Sequence, residues 1–292
     1  MLTILHGSDL HFGKHHTPEA ASAFRRCVDE VNPDLIVLSG DFTQRAKVRE
    51  YEEARDFLAR LPEIPVVVTP GNHDVPVYRV WERLISPMGN YRRFISAELD
   101  RVTRVPGATV VSLSSAAPYR AVVNGRLRVR QLDFAAHAFR GASDGDLRIL
   151  VTHHNLIAAP DCLPEQVLPG HGKYLKALSA MGVDLVLGGH LHRAFVGNSL
   201  DAVLEPDGMR PFLLIHSGTT TSGRGRGRER KKNSFFVIRV TADSFEVTYR
   251  LSSGDSGGFS PVAQHIFPRK SGMGPEGEDR SRAAAHEKEE MP

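Results

Sequence analysis

Short apolar runs recur along most of the chain, and several of them stop at a cluster of polar residues. Met1–Leu5 is such a run and predicts a first strand. Thr17-Pro18 reads as an N-cap followed by proline at the first helical position. Ala21, Phe24, Val28 and Val31 then fall on one helical face. Asp34–Ser39 is apolar without alternation, as in a strand buried on both sides. Tyr51, Ala54, Leu58 and Leu61 repeat the helical spacing, and Pro65–Thr69 gives a third buried strand. Two β-α-β units in succession predict parallel strands with helices outside.

The stretch from Asp74 to Leu147 is less regular. Within it Thr109–Leu113 and Arg120–Arg130 read as strands, and Leu132–Phe139 as a short helix. Order returns with a strand at Arg148–Thr152, a helix around Lys173–Met181 and a strand at Asp184–Leu187. Phe212–His216, Ser234–Val240 and Phe245–Leu251 add three β runs. The expected organisation is one main domain over residues 1–252, with 75–106 as a cap insertion, and a C-terminal extension over 253–292. Gly, Ser, Pro and charge dominate the extension, and 271–292 is expected to be disordered.

Composition adds bounds. The fractions of charged and hydrophobic residues, 24% and 41%, are those of an ordinary globular protein. No apolar run reaches the roughly 18 residues of a membrane span, so no membrane partner is expected. Met1 leads straight into the first strand, so no signal peptide is expected and the cytoplasm is the expected compartment. Cys27 and Cys162 offer neither a disulfide framework nor a zinc spacing, and read as small core or near-surface thiols. The net charge is +3, but Gly223–Asn233 holds six Arg or Lys and one Glu, a local +5. The remainder carries −2, so the body of the chain is not a basic nucleic-acid surface, and nucleic acid is not an expected partner. Oligomeric state stays open.

The polar clusters carry the chemistry. They are Asp9-Leu10-His11, Gly40-Asp41, Gly71-Asn72-His73-Asp74, Thr152-His153-His154 and Gly189-His190-Leu191-His192. Each follows a predicted strand at its carboxyl end, and in an open α/β sheet those ends share one edge. Asp9 and His11 are two apart, as are His190 and His192, so in extended chain both members of a pair point the same way. The donors are carboxylates, imidazoles and one amide, with no thiolate, which favours Mn, Fe, Co or Zn. Two divalent ions, two aspartates and a bridging hydroxide leave roughly +1, a charge that draws a phosphate ester. Two ions about 3.5–4 Å apart can hold both a nucleophile and phosphoryl oxygens.

This series, DxH, GD, GNHD, a His after a strand and GHxH, is similar to the calcineurin-like metallophosphoesterase superfamily over roughly residues 1–250. The resemblance implies an α/β fold, an αββα four-layer sandwich of two mixed sheets flanked by helices. It implies two divalent metal ions, with Mn or Fe favoured. Asp9, His11 and His192 would bind the first and Asn72, His153 and His190 the second, with Asp41 bridging. His73 would be catalytic, as general acid or charge stabiliser, while a metal-bridging hydroxide attacks phosphorus in line. Protein-phosphatase members carry GDxVDRG, whereas Gln44 stands here in place of the carboxylate that would orient His73.

The run Gly40–Ala46, with Gly218-Thr219, Ser222-Gly223-Arg224 and Asn233-Ser234, is more similar to the bacterial branch of class III cyclic-nucleotide phosphodiesterases. That implies a phosphodiesterase acting on a small phosphate ester such as a cyclic nucleotide. The alternatives are a phosphomonoesterase or pyrophosphohydrolase on a nucleotide or lipid precursor, a nuclease, and a catalytically inactive binding scaffold. Arg45, His154 and Arg224 are the candidate substrate contacts. The basic window reads as a solvated hairpin loop between two C-terminal strands, as a phosphate-reading loop near the pocket mouth with Arg224 or Arg226 closest, or as a nucleic-acid contact. Tyr78, Trp81, Tyr91, Arg92 and Arg93 read either as core or as a cap that stacks a base.

Overall fold

The computed structural model describes residues 1–119, 122–159, 167–202, 208–253 and 258–269. Cys162 and the segment 271–292 lie outside the described residues. Among the described residues, twelve strands run as β1 (Leu2–Gly7), β2 (Leu35–Leu38), β3 (Val66–Val68), β4 (Arg101–Val105), β5 (Ala108–Ser112), β6 (Leu147–Val151), β7 (Leu185–Gly188), β8 (Phe195–Asn198), β9 (Leu213–His216), β10 (Lys232–Val240), β11 (Ser244–Ser253) and β12 (Ser260–Pro268). Six helices are α1 (Pro18–Val31), α2 (Val48–Leu58), α3 (Val80–Ile85), α4 (Gly89–Phe94), α5 (Val129–Arg140) and α6 (His171–Ala180).

The strands form two six-stranded sheets, ordered β12-β11-β10-β1-β2-β3 and β4-β5-β6-β7-β9-β8. Both are mixed. In the first, β1, β2 and β3 are parallel and β10 runs antiparallel to β1. In the second, β5, β6, β7 and β9 are parallel, with β4 and β8 antiparallel at the edges.

The apolar runs explain the layers. Leu35 and Val37 face the other sheet, in a core shared with Ile149, Leu187 and Ile215. Ile36 and Leu38 face outward, onto Phe24 and Val28 of α1 and Tyr51 and Ala54 of α2. Leu150, Val186 and Leu214 of the second sheet likewise meet Ala135 and Phe139 of α5 and Leu175 and Leu178 of α6. The result is the αββα sandwich. Both faces of each inner strand are buried, so those strands show no alternation. Each fully buried Leu or Ile contributes about 1.5–3 kcal/mol, which leaves the strand ends little freedom to move.

Several local expectations are corrected. Arg120–Arg130 is not a strand among the described residues: Val122–Asn124 is a single 3-10 turn, and α5 begins at Val129. Gly125 has a positive φ of 63° and interrupts any ladder there. The basic window is not a hairpin loop, because β9 and β10 lie in different sheets. Their connection crosses from one sheet to the other. Residues 260–268, within the segment read as an extension, form β12 and pair with β11. Strands β4 and β8 escaped notice because their residues are mostly half-buried and carry little periodic signal. Among the described residues, no helix is long and apolar enough to cross a membrane.

Candidate metal centre

The five clusters meet where the two sheets present the carboxyl ends of their parallel strands. The loops after β1 and β2 stay paired beyond the strands: Asp9 N–H donates to Gly40 O (3.0 Å), His11 N–H to Asp41 O (2.9 Å) and Phe12 N–H to Phe42 O (2.8 Å). From the second sheet, Gly189 N–H donates to His153 O (2.9 Å).

The backbone there is not extended. Eight non-glycine residues have positive φ among the described residues, and five of them are Asp9, His11, Asp41, His190 and His192. The expected two-residue alternation is therefore not what aligns each pair. Each chain turns sharply through the left-handed region as it leaves its strand. Asp tolerates that region better than most residues, and such strain gathers at functional sites.

Two overlapping groups of donors result. In the first, His11 Nε2 lies 3.5 Å from Asp9 Oδ1, 3.7 Å from Asp41 Oδ2 and 3.1 Å from His192 Nε2, which is 3.2 Å from Asp9 Oδ1. The ligand atoms of these four buried residues all lie within 4.8 Å of one another, so the cluster could hold a metal ion. In the second, His153 Nε2 lies 3.3 Å from Asp41 Oδ2 and 3.2 Å from Asn72 Oδ1, and His190 Nδ1 lies 2.9 Å from the same amide oxygen. Asp41 Oδ2 belongs to both groups.

Each aspartate divides its two oxygens in the same way. Asp9 Oδ2 accepts the His190 N–H (3.0 Å), and Asp41 Oδ1 accepts the His73 N–H (2.8 Å). The other oxygen of each, Asp9 Oδ1 and Asp41 Oδ2, is buried, makes no well-formed hydrogen bond, and faces only imidazole nitrogens at 3.2–3.7 Å within the cluster. A buried carboxylate oxygen without such a bond is costly unless a cation completes it.

Electrostatics agree with that reading at Asp9, His11 and His190, while His153 keeps a proton beside Asp41 when no cation lies between them. Burial opposes charge on Asp9, but the His192 and His11 imidazoles outweigh it and hold its carboxyl well below the usual range. Burial pushes His11 down to about 4 and His190 down to about 3, leaving them neutral and able to donate a lone pair. Burial also opposes charge on His153, but Asp41 outweighs it and raises His153 to about 9. Below these groups, Ser39 O accepts from His153 Nδ1 (2.8 Å), and the Ser39 hydroxyl lies 3.0 Å from His6 Nε2.

Glycines allow the close approach. A Cβ on Gly71 would stand 2.1 Å from Asp41 Oδ1, and one on Gly189 would stand 1.8 Å from Ser8 Oγ. Asp74, given no role by sequence reasoning, staples the Gly71–Asp74 turn to the loop after β2. Its carboxylate accepts from Phe42 N–H, Thr43 N–H, the Thr43 hydroxyl and Gly71 N–H at 2.9–3.2 Å.

His73 stands at the edge of the cluster, its ring edge-on to that of His11. Its Nδ1–H donates to the Gln44 main-chain carbonyl (2.9 Å), so a backbone oxygen does the orienting. The Gln44 side chain instead accepts from Arg224 Nη1 (2.8 Å), which also lies 3.3 Å from His73 Nε2.

Arg224 and Arg226 reach the site because their loop is stitched down on both sides. Gly223 N–H donates to His15 O and Arg226 N–H to His192 O, both at 2.9 Å. The one acid of the basic window, Glu229, is buried and accepts from Ala194 N–H and the Ser234 hydroxyl. Arg45 is exposed, its guanidinium 5.2 Å above the Tyr78 ring. His154 lines no part of the cleft; it is buried beside His190, its Nδ1 2.7 Å from Ser115 Oγ. The aromatic stretch splits: Tyr91 is core, while Tyr78 and Trp81 are exposed. Nothing in GRGRGR ranks Arg224 above Arg226 as the nearer to the pocket mouth, and both line the cleft.

A four-layer α/β sandwich with a buried carboxylate–imidazole cluster at its shared strand edge defines a class of metal-centre proteins. The calcineurin-like phosphoesterase model matches residues 2–194, and the chain belongs to that family. A Synechococcus protein described as a probable cyclic nucleotide phosphodiesterase is 31% identical over 182 residues, 62% of this chain and 66% of that protein. UDP-2,3-diacylglucosamine pyrophosphatase LpxG of Chlamydia trachomatis is 38% identical over 79 residues, 26% of this chain and 24% of that protein. The chain thus spans less than two thirds of either relative's length. A dimetal phosphatase of Danio rerio shares the fold, with a TM-score of 0.62 at 13% identity over 91% of this chain and 98% of that one.

Proposed function

We propose that the chain is a dinuclear metal-dependent phosphodiesterase acting on a small phosphate ester of the cyclic-nucleotide kind. The observation that carries this reading is the pair of oxygens, Asp9 Oδ1 and Asp41 Oδ2, buried among imidazoles without a well-formed hydrogen bond. The donor set fits Mn, Fe, Co or Zn, since it is oxygen and nitrogen throughout. Asp9, His11 and His192 would hold one ion, Asn72, His153 and His190 the other, with Asp41 shared. The ions, when bound, would polarise the phosphoryl group and supply an activated water.

The remaining residues act around them. His73 lines the cleft, where its ring, once it carries a second proton on Nε2, can protonate a leaving oxygen or offset its charge. Gln44 fixes the ring through its carbonyl and fixes Arg224 through its side-chain amide. Arg224, adjoining both His73 and the cleft, would pair with a non-bridging phosphoryl oxygen. The Synechococcus relative supports the diester preference.

The test is Asp41→Asn and Asn72→Ala in the full chain loaded with Mn. Hydrolysis of bis(p-nitrophenyl) phosphate should fall about 10²-fold or more, with metal content reduced and the circular dichroism spectrum unchanged. Full turnover by Asp41→Asn would refute the proposal.

A further inference from the structure

The cleft has an inner and an outer chamber, and the outer one is strongly cationic. The inner chamber, about 280 Å³, is bounded by Asp41, Asn72, His73 and His190. The outer chamber, about 630 Å³, opens past Gln44 and Tyr78. Arg224 and Arg226 border both, and Arg45 borders the outer one. Among the described residues, no Asp or Glu lines the outer chamber.

Elsewhere in the molecule some arginines are balanced by acids. Arg49, Arg55, Arg79, Arg210 and Arg250 each pair with a carboxylate. Among the described residues, neither Arg45 nor Arg226 has such a partner, and Arg224 is held by an amide oxygen and not by an acid. All three line the outer chamber. His15, on the same wall, is pushed down by burial and then by Arg224, Lys14 and Arg45.

Charge counting then discriminates between ligands. Two divalent ions with Asp9 and Asp41 leave a formal charge of about +2 at the floor, enough for a nucleophile and one reacting phosphodiester. Arg224 can serve the same phosphoryl group. Arg45 and Arg226 remain, with no protein anion to balance them. A cyclic mononucleotide has a single negative charge, already used at the floor. Guanidinium groups of this kind match phosphate oxygens two at a time. Tyr78 beneath Arg45 restrains its plane, so less freedom is lost when an anion arrives.

We propose that Arg45 and Arg226 form a subsite for a second, unreacting phosphate group, so that, among small phosphate esters of the kind proposed above, nucleotides carrying an additional phosphate are preferred over a cyclic mononucleotide with one. This rests on the phosphodiesterase reading for the placement of the reacting group, but the subsite itself is a binding property.

The test is calorimetric binding of AMP, ADP and adenosine 3′,5′-bisphosphate to the Mn-loaded full chain, alongside turnover of bis(p-nitrophenyl) phosphate. ADP or the bisphosphate should bind at least about 10-fold more tightly than AMP. The Arg45→Ala/Arg226→Ala double variant should lose that preference while still binding AMP. A preference that survives in the double variant comes from the metal ions and overturns the subsite, as does the absence of any preference in the wild type. Failure of the wild type to turn over the diester, with the arginine-dependent preference intact, sinks the hydrolase reading and leaves the subsite standing.

Discussion

Asp9 and Asp41, at the floor of the cleft, are fully buried, whereas Tyr78 on the wall of its outer chamber is 78% exposed. The two regions are held by different means. Every donor on the floor hangs from the end of a strand whose two faces are packed, and several are fixed again by a backbone N–H or a carbonyl. The wall is carried by connections between elements: the turn after Asp74, the 3-10 turn at Val122–Asn124 and the crossover from β9 to β10. A floor of this kind preserves a metal geometry while the wall is free to vary. On this division, the sheets set the reaction class and the loops set substrate choice.

The largest test of that division is Gly71→Ala. A methyl group there would meet Asp41 Oδ1 at 2.1 Å, so either the turn or the shared carboxylate must move. Turnover of bis(p-nitrophenyl) phosphate should fall about 10²-fold, and metal content with it. Overpacking should also cost about 1–3 kcal/mol by urea denaturation. Near-normal kinetics would show that the floor yields easily and would end the contrast with the wall.

A middle-sized effect comes from pH. Burial pushes His6 down to about 3 and His216 down to about 4, so both are neutral in the folded chain. Their unfolded values lie near 6.5, so between about 6.5 and 4 the unfolded state binds more protons. Stability should therefore fall as pH drops through that window, by up to about 1.4 kcal/mol per unit for each histidine. Urea midpoints at pH 7, 6 and 5 measure it. His6→Gln should flatten the slope, and a slope unaltered by the substitution would mean the floor is not anchored as described.

The smallest expected effect is on the wall. Tyr78→Ala should change stability by less than about 0.5 kcal/mol, since the ring is mostly in solvent. Loss of its support for Arg45 should raise KM for a two-phosphate nucleotide a few-fold, with kcat unchanged. A fall in kcat with KM constant would place Tyr78 with the chemistry and erase the boundary between the regions.

The floor was legible because its signals are local. Asp9, Asp41, Asn72, His153 and His190 each stand a few residues beyond an apolar run, and such runs mark buried strands regardless of context. The wall was legible only in part. Arg45, Arg224 and Arg226 could be named as candidate phosphate contacts, but Val122–Asn124 carries a strand-like composition yet forms a turn. The β12 strand, SPVAQHIFP, is mostly exposed and is held by pairing with β11, not by a buried face of its own. The left-handed backbone at Asp9, His11 and His192 was also invisible, since Asp and His do not demand it as glycine would.

From the chain alone follow parallel strands with helices outside, the convergence of seven donor side chains on one edge and the oxygen–nitrogen character of that set. All of these depend on hydrophobic periodicity and residue type, which are properties of short stretches. Only the tertiary structure decided that Asp74 clamps one turn to another, that Gln44 orients His73 through its carbonyl, and that the basic loop passes between sheets to deliver Arg224 and Arg226 to the cleft. Those are contacts between residues far apart in the sequence. Their geometry is set by how two sheets pack, and no local pattern encodes it.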